Sequence, residues 1–494
     1  MDVFRTKSIE HSLADTEDPE FKLKRSLTAL DLTLFGIGVI IGAGIFTLTG
    51  KVAHAYAGPA VVFSFVIAAL CCALAALCYA EFASTVPVSG SAYTFSYATM
   101  GELIAWIIGW DLILELLLGA SVVAQGWASY FELFLSEIGI TWPEHLGYGD
   151  TFNLAAFLLV VVLTILVAVG IKESMRVNLV LVAIKLFIVL FVIFAGLAYI
   201  NTDNYTPFVP KSEPGQTANG WLHTPLLQIV TGAPSVFGVA GVMFAASLVF
   251  FAYIGFDVVA TTAEEAANPQ KDLPKGIIWS LVICTILYMA VALVITGMVN
   301  YKDINPDAAL ASAFVDQGKD GYATLISTGA VAGLTTVVMT LIIGATRVLF
   351  AMSRDGLLPV RFGHVNAKTG TPVAITLVIG TLVALVASLT PIGKLEEMVN
   401  IGTLSAFALV SIAVPILRKR RPDLERSFRV PLSPWLPWAS AAICVFLMLN
   451  LTAETWLRFL IWMALGFLIY FLFGYRHSRV GKGEGIPAHD YSVG

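Results

Sequence analysis

The stretch GIGVIIGAGIF, Gly36 to Phe46, places four glycines within nine residues of a long apolar run. Each Gly in a helix interior costs roughly 1 kcal/mol relative to Ala and leaves the backbone poorly covered. Either these glycines let another helix pack closely, as small-residue motifs do, or the helix is interrupted here and its backbone groups are used for something else.

The surroundings put the stretch at membrane depth. The chain is 57% hydrophobic and 13% charged, with a mean hydropathy of +0.83, far outside the range of soluble globular domains. In lipid a backbone must satisfy its own hydrogen bonds, so membrane spans are helices or closed barrels. Continuous apolar runs of ~20 residues, without the alternation of barrel strands, point to helices.

Hydropathy predicts an all-α polytopic membrane protein of about 12 transmembrane helices. They lie near residues 30–54, 59–84, 101–134, 153–171, 176–200, 235–265, 276–299, 321–352, 372–390, 396–417, 434–452 and 455–474. The opening 25 residues are too polar for the apolar core of a cleavable signal peptide and are expected to stay in the cytoplasm. With both termini inside, most of the 29 Lys and Arg residues, including the cluster RKRRPDLERSFR from Arg418 to Arg429, fall in cytoplasmic loops. The positive-inside rule favours that orientation.

The four glycines now fall in the middle of the first span, where non-helical backbone is tolerated only if protein buries it or it lines a cavity. A second interruption appears in the sixth span, SLVFFAYIGFDVVATTAEEAANP, at Gly255 and Asp257. The two spans are five places apart in chain order, an odd offset, so they cross in opposite directions, as two inverted five-helix repeats would arrange them. The predicted organisation is a tail (1–25), a first repeat (26–200), an external loop (201–234), a second repeat (235–418), two further helices (419–474) and a carboxy-terminal tail (475–494).

GIGVIIGAGIF, FFAYIGFD and EEAANPQKDLPKGI, in that order, resemble the signatures of the amino acid-polyamine-organocation superfamily. Within it the chain is most similar to bacterial relatives of the cationic amino acid transporters. The resemblance covers nearly the whole chain. It implies a LeuT-like fold of ten core helices, with helices 1 and 6 broken, plus two more.

If the first span unwinds at Ile41, Gly42 and Ala43, the half-helix that follows offers free N–H groups and the positive end of its dipole. A substrate carboxylate is expected on the amides near Ala43 and Gly44. Carbonyls left without partners, near Ile40 and near Phe250, Ala252 and Ile254, would accept an ammonium. Together these groups describe a site for an α-amino acid, the substrate class that the resemblance also implies.

Lys185, in NLVLVAIKLFIVLFVIF, is the one basic residue well inside a span. Its stem could snorkel toward the cytoplasmic side near Arg176, or its ammonium could be buried at a cost that favours proton exchange. The resemblance implies the second role, with protonated Lys185 tied to the carbonyls of Gly38 and Ile41. Glu115 shares a helix face with Asp111 and is expected to meet the substrate ammonium or a cationic side chain. Phe250, Phe251 and Tyr253 could close over a small ligand, with Phe250 and Tyr253 expected as the gate, and Asp257 suits either a cap on the half-helix after the break or a substrate contact. Glu264, Glu265, Lys271 and Lys275 suit either an intracellular gate or interfacial solvation. Ser327, Gly333, Thr335 and Thr336 offer room for a substrate side chain.

No P-loop, catalytic constellation or metal spacing is present, so an enzyme or ATP-driven pump is not expected. The five cysteines lie in spans and read as packing residues. The expected function is proton-coupled symport of L-amino acids, neutral or cationic, across the plasma membrane, with the proton as coupling ion and no cofactor. An exchanger, a polyamine carrier, or a channel or receptor on the same fold stand as alternatives. The expected partners are the L-amino acid, such as alanine or arginine, and membrane lipid. Nucleic acid is not expected, and a small membrane subunit stays open.

Overall fold

The structure is a computed structural model and describes residues 3, 5–6, 27–85, 91–143, 145–170, 175–213, 220–232, 236–364, 366 and 371–483. Most of the two predicted tails, and the side chains of Glu264 and Glu265, lie outside the described residues. Among the described residues the chain is helical, and strand-like pairing is limited to isolated bridges. Among the described residues, eight helical runs are long and apolar enough to cross a membrane, and four shorter apolar helices accompany them. This is a multi-pass membrane protein.

The principal helices are α1 (Ala29–Ile40), α2 (Val61–Thr85), α3 (Glu102–Glu137), α4 (Leu154–Val169), α5 (Met175–Gly196) and α6 (Gly238–Val249). They continue as α7 (Pro269–Met298), α8 (Asp320–Arg354), α9 (Val373–Leu389), α10 (Ile392–Arg420), α11 (Trp435–Leu449) and α12 (Ala453–Ile469). Local sequence sets several of their ends. Thr28 and Asp31 form a capping box at the start of α1, which satisfies two of the orphan donors there. Asn153 accepts the N–H of Ala156 at 3.0 Å to begin α4, and left-handed Gly170 ends it.

Large apolar side chains such as Phe63 and Leu70 on α2, Val162 and Ile165 on α4, and Leu460 and Ile461 on α12 are exposed. Such a surface is stable in lipid and costly in water. Inside, α3 lies along α8 and α10, α2 along α7, and α4 along α9. The most buried long run is α3, whose most apolar window is 94% buried, so it forms the centre of the bundle.

Candidate functional site

The break after α1 follows from its glycines. Ile41 leaves the helix with extended geometry (φ −71°, ψ 90°), and helical turns resume over Gly44–Leu48, Thr49–Val52 and Ala53–Ala57. The last carbonyls of α1 need partners from elsewhere. Lys185 Nζ donates to the carbonyl of Gly38 at 2.6 Å, and the Tyr288 hydroxyl donates to that of Ile40 at 2.7 Å. Beyond the break, Tyr130 donates to the carbonyl of Phe46 at 2.7 Å.

Lys185 is 1% exposed and its stem fills the space beside Gly333, where a Cβ would meet the Lys185 Cγ at 2.8 Å. It therefore does not snorkel: it ends on the broken helix.

The second break follows α6. One tight turn, Phe250–Tyr253, leads to an extended Ile254 (φ −59°, ψ 136°), and Gly255 takes φ +119°, which residues with a Cβ rarely adopt. A Cβ there would also press on Val39 Cγ1 at 2.7 Å. Asp257, 2% exposed, begins the next helical segment, the place where a carboxylate can cap free N–H groups. Asn400 donates its amide to the carbonyls of Ser247 at 2.8 Å and Leu248 at 3.1 Å, the last turn of α6. The two breaks are pressed together, since a Cβ on Gly44 would lie 2.2 Å from the Cα of Ala252.

Between the breaks lies a cavity of about 20 Å³, lined by Val39, Ile40, Gly42, Ala43 and Gly44 of the first break and by Phe251 and Ile254 of the second. Gly119 and Val123 of α3 and Val337 and Leu341 of α8 close it. A volume of that size holds roughly one water, so the site is nearly shut in this conformation. None of its lining residues is charged.

A larger cavity of about 330 Å³ lies at the end of α3, lined among others by Ser129, Glu132, Tyr148, Asn305 and Asp307. Burial raises the Asp307 carboxyl above its ordinary range, against the opposing effects of the Tyr148 hydroxyl and Lys51.

The other expected site residues are distributed around the small cavity. Glu115 is 1% exposed, one helical turn from Gly119, and neither of its carboxylate oxygens has a hydrogen-bond partner among the described residues. The ring of Phe250 turns toward Phe407, 5.8 Å away, and the neighbouring Phe251 lines the cavity instead. Tyr253 donates to the carbonyl of Phe65 at 3.0 Å and lies against Tyr288, 5.3 Å between centroids. On α8, Thr335 receives the Trp127 indole N–H at 2.9 Å, Thr336 donates to its own helix, and Gly333 backs Lys185. Lys271 and Lys275 are exposed. All five cysteines are buried and unbridged.

Val39, Gly119, Val123, Val337 and Leu341 escaped sequence reasoning because they look like any apolar residue of a span, whereas Phe251 was among the three aromatic residues expected to close over a ligand. Tyr288 and Asn400 carried a weak signal, as polar groups at depth that must find partners.

The family model described as "Amino acid permease" matches residues 27–473. The branched-chain amino acid permease BcaP of Bacillus subtilis (strain 168) is 48% identical over 97% of this chain and 99% of its own length. The methylthioribose transporter of the same organism is 44% identical over the same shares. Cationic amino acid transporter 4 of Homo sapiens is 36% identical over 84% of this chain and 62% of its own. These relatives are permeases and transporters rather than enzymes.

Proposed function

This chain belongs to the amino acid permease family, and on that premise we propose that it carries L-amino acids with small or branched aliphatic side chains by proton symport. Alternating access operates around the small cavity. The observation that carries this reading is the cavity itself: two helix breaks supply backbone donors and acceptors, and the rest of the wall is aliphatic or aromatic. Backbone groups suit the carboxylate and ammonium of any α-amino acid. An apolar wall then selects an apolar side chain, because a cation there would lose its hydration without a partner.

The carboxylate is assigned to the amides at Gly42, Ala43 and Gly44, and the ammonium to the carbonyls near Phe250, Ala252 and Ile254 and the remaining lone pair of Ile40. Glu115, one turn away, reaches the ammonium through water. The likeness to the branched-chain amino acid permease BcaP supports a branched-chain substrate, and the lack of a lining carboxylate argues against a polyamine.

The twelve helices are read as twelve crossings with both termini in the cytoplasm and the protein in the plasma membrane. Halves 26–200 and 235–418 form the inverted repeat. Its support is internal: α1 and α6 both break, and α2, α3 and α4 lie along α7, α8 and α9, the helix five places later in each case.

Lys185 is the coupling group. Charged, it holds α5 on the carbonyl of Gly38; discharged, it releases a helix that forms one wall of the site. The test is uptake of labelled L-leucine, L-alanine and L-arginine into proteoliposomes with and without an inward proton gradient, for the parent and Lys185→Ala. Gradient-driven leucine accumulation that vanishes in Lys185→Ala while binding survives is the expected result. Uptake that ignores the gradient and needs internal amino acid would make the protein an exchanger.

A further inference from the structure

We propose that one face of α10, carrying Glu396 and Asn400, is the latch that holds the outward halves of both broken helices closed. The inference rests on reading the small cavity as the transport site, and it assigns a positioning role to two residues that touch neither the cavity nor any substrate.

Glu396 and Asn400 are four residues apart and so share one face of α10. Each reaches a different broken helix. Lys51, on the helical run that resumes after the first break, donates to Glu396 Oε2 at 2.6 Å. Asn400 holds the carbonyls of Ser247 and Leu248 at the end of α6. Seven residues further along, Phe407 meets Phe250 of the second break, and its ring also lies 5.0 Å from that of Phe256. One helix thus grips both breaks from the same side.

The chemistry of the grip makes it a switch rather than simple packing. The Glu396 side chain is 3% exposed and that of Lys51 27%, so Lys51 can find water on leaving, whereas Glu396 left behind would be a buried, unpaired carboxylate. Asn400 is fully buried, and its departure would strand the Ser247 and Leu248 carbonyls in an apolar core. Both contacts are directional and fail within an ångström or two of displacement. The latch therefore opens only as water enters, and the resistance to opening is concentrated in two side chains. Gly50, next to Lys51, packs so closely that a Cβ would lie 2.1 Å from Ala309 Cβ, which seats the half-helix in a single position.

The experiment places a reporter thiol in the cavity, Val123→Cys, and follows its reaction with a membrane-impermeant thiol reagent added outside proteoliposomes. The five native cysteines are buried, and the protein without the reporter is the control. Glu396→Gln, Lys51→Gln and Asn400→Leu are each expected to speed labelling by roughly three- to tenfold, the size of a lost partly exposed ion pair or buried hydrogen bond. The charge swap Lys51→Glu with Glu396→Lys is expected to return the rate toward that of the parent. Lys51→Gln, altered on the more exposed partner, keeps the test available if Glu396→Gln does not fold.

Parental labelling rates in all three single variants overturn the latch. Excess L-leucine tests the underlying reading separately, since it should slow labelling in the parent. If leucine protects and the variants label at the parental rate, only the latch falls. If leucine fails to protect while the variants label faster, the latch stands as the gate of this cavity and the cavity loses its role as substrate site.

Discussion

Gly44 and Ala252 meet backbone to backbone, so closely that a Cβ on Gly44 would lie 2.2 Å from the Cα of Ala252 and 2.5 Å from its Cβ. This contact joins the two breaks, and no rotamer change can relieve it because main-chain atoms stand on the far side. Gly44→Ala is therefore expected to abolish leucine uptake by forcing the breaks apart. Gly42→Ala, whose Cβ would meet Val337 at 3.4 Å, is expected to retain uptake with a higher KM. Parallel uptake assays, with surface-expression controls, check the contrast; equal losses would mean that the Gly44 contact does not shape the site.

Gly333 offers a way to disturb Lys185 without changing its chemistry. A Cβ at that position would lie 2.8 Å from Lys185 Cγ and 3.1 Å from its Cε. Gly333→Ala is expected to shift the ammonium off the Gly38 carbonyl and to weaken the response to a proton gradient by about tenfold, the loss of one charge-assisted hydrogen bond. Leucine binding should change far less. Uptake measured across a series of imposed gradients separates the two effects, and an unchanged gradient response would detach Lys185 from coupling.

Side-chain selection should follow the α3 and α8 walls. A Cβ on Gly119 would meet Leu341 Cδ1 at 3.6 Å, an ordinary contact, so Gly119→Ala is expected to fold and to narrow the cavity. Leucine uptake should fall by about tenfold, the discrimination one methylene supplies, with alanine less affected. Leu341→Ala should do the reverse and admit larger side chains. Competition of a panel of amino acids against labelled leucine reads both shifts, and identical panels for the parent and both variants would move the side-chain compartment elsewhere.

Glu102, at the start of α3, gathers both ends of the chain. Its carboxylate receives Arg5 at 2.7 and 2.8 Å, Tyr97 at 2.8 Å, Tyr470 at 2.9 Å and the hydroxyl of Ser478. Glu102→Ala would leave a guanidinium and two buried phenols without their acceptor, a loss of about 3 kcal/mol or more. A marked fall in Tm in detergent is expected, with Glu102→Gln intermediate because it keeps an acceptor oxygen. A Tm unchanged in Glu102→Ala would reduce the network to surface decoration.

Much of the site's backbone is legible in the order of the residues. Gly36 to Gly44 and Gly255 stood out because glycine is costly in a helix, and both places are breaks in the fold. Lys185 stood out because a charge at membrane depth is costly, and the structure binds it to the Gly38 carbonyl. Phe250 was harder. Adjacent aromatic residues on one tight turn point in different directions, and only the turn's geometry sends Phe251 to the cavity and Phe250 to Phe407. Val337 and Leu341 were invisible for a related reason: in lipid, a helix can be apolar on every face, so hydropathy does not distinguish a wall of the site from a surface facing acyl chains.

Composition, glycine placement and the lone intramembrane lysine were thus enough to establish a helical membrane protein with two interrupted spans and a charge that must be satisfied within it, because each departs from what an apolar helix tolerates. Tertiary packing alone decided which side chains line the cavity, that Tyr288 and Asn400 hold the carbonyls the breaks expose, and that Lys51 meets Glu396 across 345 residues. Those are pairings between distant segments. The free energy of each depends on distance and burial, and neither quantity is written in the order of the residues.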